Sequence, residues 1–261
     1  MKLARVSVNG QEFNAAVEDK YVRKINGCFF SEYELTNELY PISDVKFLAP
    51  VRPVNVLCIG LNYGRHAAES NMNLPKRPLI FLKTTTAVAG PEDDVIIPSM
   101  APDKIDYEAE LVVVIGKKAR NVEPADAFKY VLGYTCGNDV SARDCQLEQD
   151  GQWARGKSFD TFAPIGPWIE TDIDPENLEI TGSLNGEIRQ HSNTNDMLFP
   201  VSEVISYCSK NMTLLPGTII MTGTPAGVIL GRNPAEYIKP GDVYKVEIEG
   251  IGTLQNKFKA E

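Results

Sequence analysis

Histidine is scarce in this 261-residue chain: His66 and His191 are the whole complement, too few for an all-histidine metal site. The five cysteines (Cys28, Cys58, Cys136, Cys145, Cys208) are scattered, odd in number and never spaced as CxxC. That excludes a zinc knuckle and argues against a disulfide frame, and it suits reduced thiols in a cytosolic protein. No stretch approaches the roughly 20 apolar residues that span a bilayer, and Met1-Lys2-Leu3 opens into strand-like sequence instead of a signal peptide. Basic residues are outnumbered 26 to 35, and a net charge of −9 argues against nucleic acid or an anionic membrane as partner. Neither a G-x-S-x-G elbow, a phosphate-binding P-loop nor a dinucleotide fingerprint is present. A cytoplasmic, soluble protein acting on a small molecule is the expectation, and local cations leave room for an anionic substrate.

The chain is organised around Asp106-Tyr107-Glu108-Ala109-Glu110 and the apolar run Leu111–Ile115 that follows it. The run reads as a buried strand. Alternation puts Asp106, Glu108 and Glu110 on one face of it, successive members roughly 6.5–7 Å apart along the backbone. Carboxylates entering a buried strand together require a cation or strong donors, whereas on a solvated strand end they require nothing. Both readings fit this segment alone. Asp139, at the end of a strand expected over Tyr134–Asp139, would complete an oxygen-only site for a hard cation; its other reading is a turn or helix cap.

His66 and Glu69 are three residues apart on a short helix expected after the glycine-ended strand Asn55–Gly60. On one helical face the carboxylate would orient the imidazole as a base, although an ordinary surface pair has the same spacing. Lys83, Arg143, Gln146 and Lys157 are candidates for holding an anionic substrate, Lys157 from a loop expected over Gly156–Trp168. The turn Gly223-Thr224-Pro225-Ala226-Gly227 could offer backbone N–H groups and a hydroxyl to an oxyanion.

Hairpin signals at Asn9-Gly10 and Asn185-Gly186 outnumber βαβ patterns, and helices are few, with one amphipathic helix expected over Val201–Lys210. We expect an α+β, mostly β fold: a mixed β-sheet roll or barrel (residues 51–261) with a small β-rich N-terminal domain (residues 1–50). Pro41–Pro50 reads as an extended connector, and Ser141–Asp144 as a capped turn.

Seven segments in order resemble the fumarylacetoacetate hydrolase family over about residues 55–258: Gly60-Leu61-Asn62-Tyr63 with His66 and Glu69; Phe81-Leu82-Lys83; Asp106–Leu111; Asn138–Asp144 with Gln146; Gly156–Asp160; Leu184-Asn185-Gly186 with Gln190; and Thr222–Val228. The resemblance implies a homodimer with Mg²⁺ or Mn²⁺ on Glu108, Glu110 and Asp139, and a water-activating pair at His66 and Glu69 on a lid. It implies Lys83 as a catalytic cation and Arg143, Gln146, Lys157 and Thr224 as substrate contacts. The implied reaction is hydrolysis of an acylpyruvate to pyruvate and a carboxylic acid. Oxaloacetate decarboxylation or tautomerisation, isomerisation of a dienoic 2-oxo acid, and a catalytically idle metal-binding scaffold are the alternatives. The short N-terminal segment and neutral Asn62 resemble the compact bacterial branch of the family.

Overall fold

A computed structural model describes residues 1–70 and 72–261. Its main element is a mixed twelve-stranded sheet. The apolar run lies at the heart of that sheet: strand Ala109–Ile115 is fully buried and sits between Val131–Asn138 and Ile219–Met221, antiparallel to both. A run apolar on successive residues needs cover on both faces. It has it: Leu111, Val113 and Ile115 join one core cluster, Val112 and Val114 another. Beyond Ile219–Met221 the sheet continues through parallel Val56–Gly60 to Leu79–Lys83. A separate five-stranded sheet, containing the hairpin Glu179–Leu184 and Glu187–Asn193 with Val243–Ile248 and Gly252–Ala260, closes the other side of the larger core. The fold is mostly β with few short helices, as expected.

The N-terminal meander (Lys2–Val8, Gln11–Glu18, Tyr21–Gly27, Tyr33–Pro41) extends the main sheet, joined through Lys2 and Leu3 opposite Glu170 and Ile169. The expected connector over 41–50 is structured instead: a 3₁₀ turn at Ile42–Asp44 leads into strand Lys46–Leu48, which pairs with Arg5–Ser7. Apolar Phe47 packs into the small cluster around Val6 and Val22, a tertiary contact that proline spacing does not reveal. Among the described residues no helix is long and apolar enough to cross a membrane.

Two further expectations fail locally. The Gly156–Trp168 segment is a loop only over 158–162: Lys157 ends a short helix, Trp153–Lys157, and Ala163–Glu170 is a sheet strand. The expected capped turn after Asp139 is a two-residue strand, Ser141–Ala142, followed by a π-helical turn, Asp144–Gln149. Glycine makes this packing possible. A Cβ at Gly156 would lie 2.6 Å from the Gln146 nitrogen and 2.7 Å from the Ala142 oxygen, both backbone atoms that cannot step aside cheaply. Gly156→Ala is therefore expected to destabilise the protein by about 1–3 kcal/mol, the usual cost of overpacking. Urea unfolding of both proteins, at unchanged m-value, measures it.

Candidate active site

Strand ends and one turn assemble the site. Glu110 is the second residue of the central strand, Glu108 immediately precedes that strand, and Asp139 immediately follows its antiparallel neighbour. The Glu108 N–H donates to Asn138 Oδ1 at 2.9 Å and the Asp139 N–H to the Glu108 carbonyl at 2.9 Å, which locks the two strand ends together. As a result Glu108, Glu110 and Asp139 each present a carboxylate oxygen within 4.8 Å of the others, and all three are buried. An all-oxygen, all-carboxylate set of this span suits a hard divalent cation such as Mg²⁺ or Mn²⁺.

Asp106 does not belong to that set. The chain leaves the strand before it: Asp106 lies in a separate two-residue strand, Ile105–Asp106, paired with Ser141–Ala142. Its carboxylate accepts the backbone N–H groups of Tyr107, Ile229 and Leu230 and faces Arg143, whose Nη2 lies 2.8 Å away. Alternation of side chains holds only while a strand is regular, and Tyr107–Glu108 breaks it.

Cations already meet these acids. Lys157 Nζ bridges Glu108 Oε2 at 2.9 Å and Asp139 Oδ2 at 2.8 Å. Arg143 Nη2 also lies 2.8 Å from Glu108 Oε1, and Lys83 donates to Asp139 and to the Val140 carbonyl. Burial pushes the Glu108 carboxyl up, but Lys157 and then Arg143 outweigh it and hold it down at about 2. Glu110 behaves oppositely. Burial first, then the charges of Asp139 and Glu108, push its carboxyl well above the usual range, and its hydrogen bond from the Gly223 N–H at 2.8 Å does not compensate. Four buried carboxyls (Asp106, Glu108, Glu110, Asp139) thus face three buried cations (Lys83, Arg143, Lys157). Among the described residues Glu110 has no cationic partner at ion-pair distance. The missing positive charge is the observation to which a bound divalent ion corresponds.

His66 and Glu69 share the Gly64–Glu69 helix, and His66 Nδ1 lies 3.0 Å from Glu69 Oε1. The Gly227 N–H donates to both Glu69 oxygens, at 3.1 and 2.9 Å, so the helix is docked on the 223–231 turn. Gly227 has φ 111°, and a Cβ there would meet the Arg189 carbonyl at 2.0 Å; only glycine allows this N–H to face Glu69. His66, Glu108, Arg143, Gln146, Lys157 and Thr224 all line one cavity with about 20 Å³ of open space, room for a water. Lys83 lies behind it, next to Asp139.

Thr224 and Arg143 are placed differently from what substrate contact alone requires. The Thr224 hydroxyl donates to the Ala109 carbonyl at 2.9 Å and accepts from Gln190 Nε2 at 2.8 Å, which leaves it an acceptor toward the cavity. Arg143 grips Asp106 and Glu108, and its Nη1 donates to Gln146 Oε1 at 2.9 Å. Asn62, neutral as noted, bonds the backbone of Phe199 and Thr222.

Gln190 carries a role the sequence reading missed. Its Oε1 accepts the Ala109 N–H at 2.9 Å and the Tyr244 hydroxyl at 2.6 Å, while its Nε2 holds Thr224. Both polar groups of Ala109, the residue between Glu108 and Glu110, are therefore fixed by a closed ring of Ala109, Gln190 and Thr224. A buried glutamine in a hairpin strand was the available signal, but its partners lie 81 and 34 residues away.

Two outcomes follow. Because Glu110 keeps its proton above the ordinary carboxylate range, a cation must displace that proton. Affinity for Mg²⁺ is expected to rise with pH until Glu110 is ionised, and titration calorimetry in buffers of different ionisation enthalpy should show protons released on binding. Binding without proton release at any pH contradicts this. Gln190→Leu is expected to weaken Mg²⁺ binding by about 10–100-fold, as loss of a group orienting metal ligands typically does; the same calorimeter reads it.

The family model described as fumarylacetoacetate (FAA) hydrolase C-terminal matches residues 55–259, and one described as Rv2993c-like, N-terminal, matches residues 1–50. A fumarylacetoacetate hydrolase domain-containing protein 2 homolog of Dictyostelium discoideum is 50% identical over 254 residues, covering 92% of this chain and 82% of that protein. The mitochondrial oxaloacetate tautomerase Fahd2a of Rattus norvegicus is 47% identical over 223 residues, 84% of this chain and 71% of its own length. Among solved structures, a 5-carboxymethyl-2-hydroxymuconate delta-isomerase of Mycobacterium smegmatis superposes with TM-score 0.90 at 39% identity, covering 100% of both chains. By that match and those identities the chain belongs to the fumarylacetoacetate hydrolase family.

Proposed function

We propose that this protein is a divalent-metal-dependent hydrolase that cleaves a C–C bond in an acylpyruvate, giving pyruvate and a carboxylic acid. The observation that carries the reading is His66, held by Glu69 and lining the same cavity as Glu108. A scaffold that only binds metal has no use for an oriented base there.

Glu108, Glu110 and Asp139 would hold the cation, which when bound supplies Lewis-acid polarisation of the substrate oxygens. The residues of the chain do the rest. A carboxylate accepts but does not donate, so Glu69 selects the imidazole tautomer protonated on Nδ1 and leaves Nε2 as base. His66 takes a proton from water, and the hydroxide adds to the distal carbonyl carbon. The bond between that carbon and the methylene breaks, its electron pair passes to the methylene carbon, and a proton taken up there makes the methyl group of pyruvate. One water is consumed. Lys157, which lines the cavity, would meet the negative charge that develops, and Lys83, buried beside Asp139, would add its field from behind.

A second reading has its own support. The relative from rat is named an oxaloacetate tautomerase. The same base could move a proton between the methylene carbon and the keto oxygen without adding water, which would make this chain a tautomerase or isomerase of 2-oxo acids.

The test is acetylpyruvate turnover with Mg²⁺ and with EDTA. Pyruvate and acetate in equal amounts, lost with EDTA, are expected, and His66→Ala should lower kcat by about 10²–10⁴-fold. Enol–keto conversion of oxaloacetate without acetylpyruvate cleavage selects the second reading. Near-normal turnover by His66→Ala removes His66 as base under either.

A further inference from the structure

One buried hydroxyl on the cavity wall has no partner in the chain. Ser70 caps the C-terminal end of the Gly64–Glu69 helix, and its N–H donates to the His66 carbonyl at 3.2 Å, so the turn between the two residues is closed. His66 and Ser70 therefore share one face, a spacing that sets Cβ atoms roughly 5–6 Å apart. A side chain at i+4 leans back over the turn before it, here toward the histidine. Serine near a helix end commonly bonds a carbonyl of its own helix. Ser70 Oγ does not: it is closed off from bulk solvent and, among the described residues, meets no hydrogen-bond partner. A buried hydroxyl left unmet is costly, and a water is the usual remedy. Ser70 and His66 line the same cavity, whose open space of about 20 Å³ is the size of one.

We propose that Ser70 is the second holder of the attacking water. Its oxygen accepts one hydrogen of a water whose other hydrogen faces His66 Nε2, which leaves a lone pair of that water aimed at the distal carbonyl carbon. The proposal rests on the hydrolytic reading of the site. The other polar side chains on the wall fit this task less well. Lys157 is held by Glu108 and Asp139, and Arg143 by Asp106 and Glu108. Both are donors only, as is Gln146 Nε2, the part of that amide not taken by Arg143. The Thr224 hydroxyl is tied to Ala109 and Gln190 on another segment. A water giving one proton to a base needs an acceptor for its other hydrogen, and a hydroxyl one turn from that base supplies it. Ser70 neither gains nor loses a proton: His66 takes one from the water, and the hydroxide forms its bond to carbon. The serine thus sets where the water stands. A reaction that consumes no water, such as enol–keto conversion of oxaloacetate, has no use for it.

The experiment measures Ser70→Ala on acetylpyruvate with Mg²⁺. Its kcat is expected to fall about tenfold, as loss of one hydrogen bond to a reacting water would cause, with KM and calorimetric Mg²⁺ affinity unchanged. Ser70→Thr, which keeps the hydroxyl, should restore most of the loss. Where the unaltered protein also interconverts enol and keto oxaloacetate, Ser70→Ala should leave that rate as it was. Equal losses in the two reactions mark a displaced helix and overturn the assigned role. If Ser70→Ala does not fold, Ser70→Thr and Ser70→Val, alike in shape and different in the hydroxyl, make the same comparison, and equal kcat for that pair overturns the inference. Ser70→Ala working at the unaltered kcat overturns the inference and leaves hydrolysis standing. An unaltered protein that releases no pyruvate from acetylpyruvate overturns both.

Discussion

Like charge held out of water is the constraint on which this site depends. Isolated carboxylates in a β core are far too costly to persist ionised, so each needs a cation, an array of donors or a proton. All three solutions occur within a few ångströms. Asp106 uses backbone N–H groups and Arg143; Glu108 and Asp139 use Lys157, with Arg143 and Lys83 as second partners; Glu110 is driven toward its proton. The surroundings follow from these demands. Long basic side chains must arrive from three different segments, and the strand that carries the acids must be apolar on both faces beyond them to be held rigidly.

The sequence disclosed this site unevenly, and physical range explains why. The apolar run Leu111–Ile115, the paired acids Glu108 and Glu110, and the His66–Glu69 spacing are local signals, set by strand or helix period within a few residues. They were legible. Asp106 shares the same alternation, but its bonds to Ile229, Leu230 and Arg143, and the pairing of its short strand with Ser141–Ala142 more than thirty residues on, are not local. The short helix ending at Lys157 was equally hidden: Arg-Gly-Lys has no helical signature, and the segment is held by Trp153 against Gly60 and by Gly156 against Gln146. Gln190 could be recognised as part of a family pattern, but its purpose is visible only when the second sheet is laid against the first.

The 222–231 segment shows most clearly how function here is distributed. Its sequence reads as a glycine-rich turn suited to an oxyanion. In the fold many of its donors are committed: Gly223 N–H to Glu110, the Thr224 hydroxyl to Ala109, Gly227 N–H to Glu69, and the N–H groups of Ile229 and Leu230 to Asp106. One short stretch of backbone therefore touches Glu110, the Ala109 between the two glutamates, the Glu69 partner of His66 and the Asp106 anchor of Arg143. A shift of this turn cannot disturb one of these groups alone. It would move the base relative to the acids, and the geometry between those two is what the proposed chemistry needs most. Close approach of the backbone to Asn62 at Gly223 and to Arg189 at Gly227 is the physical reason those two positions are glycine.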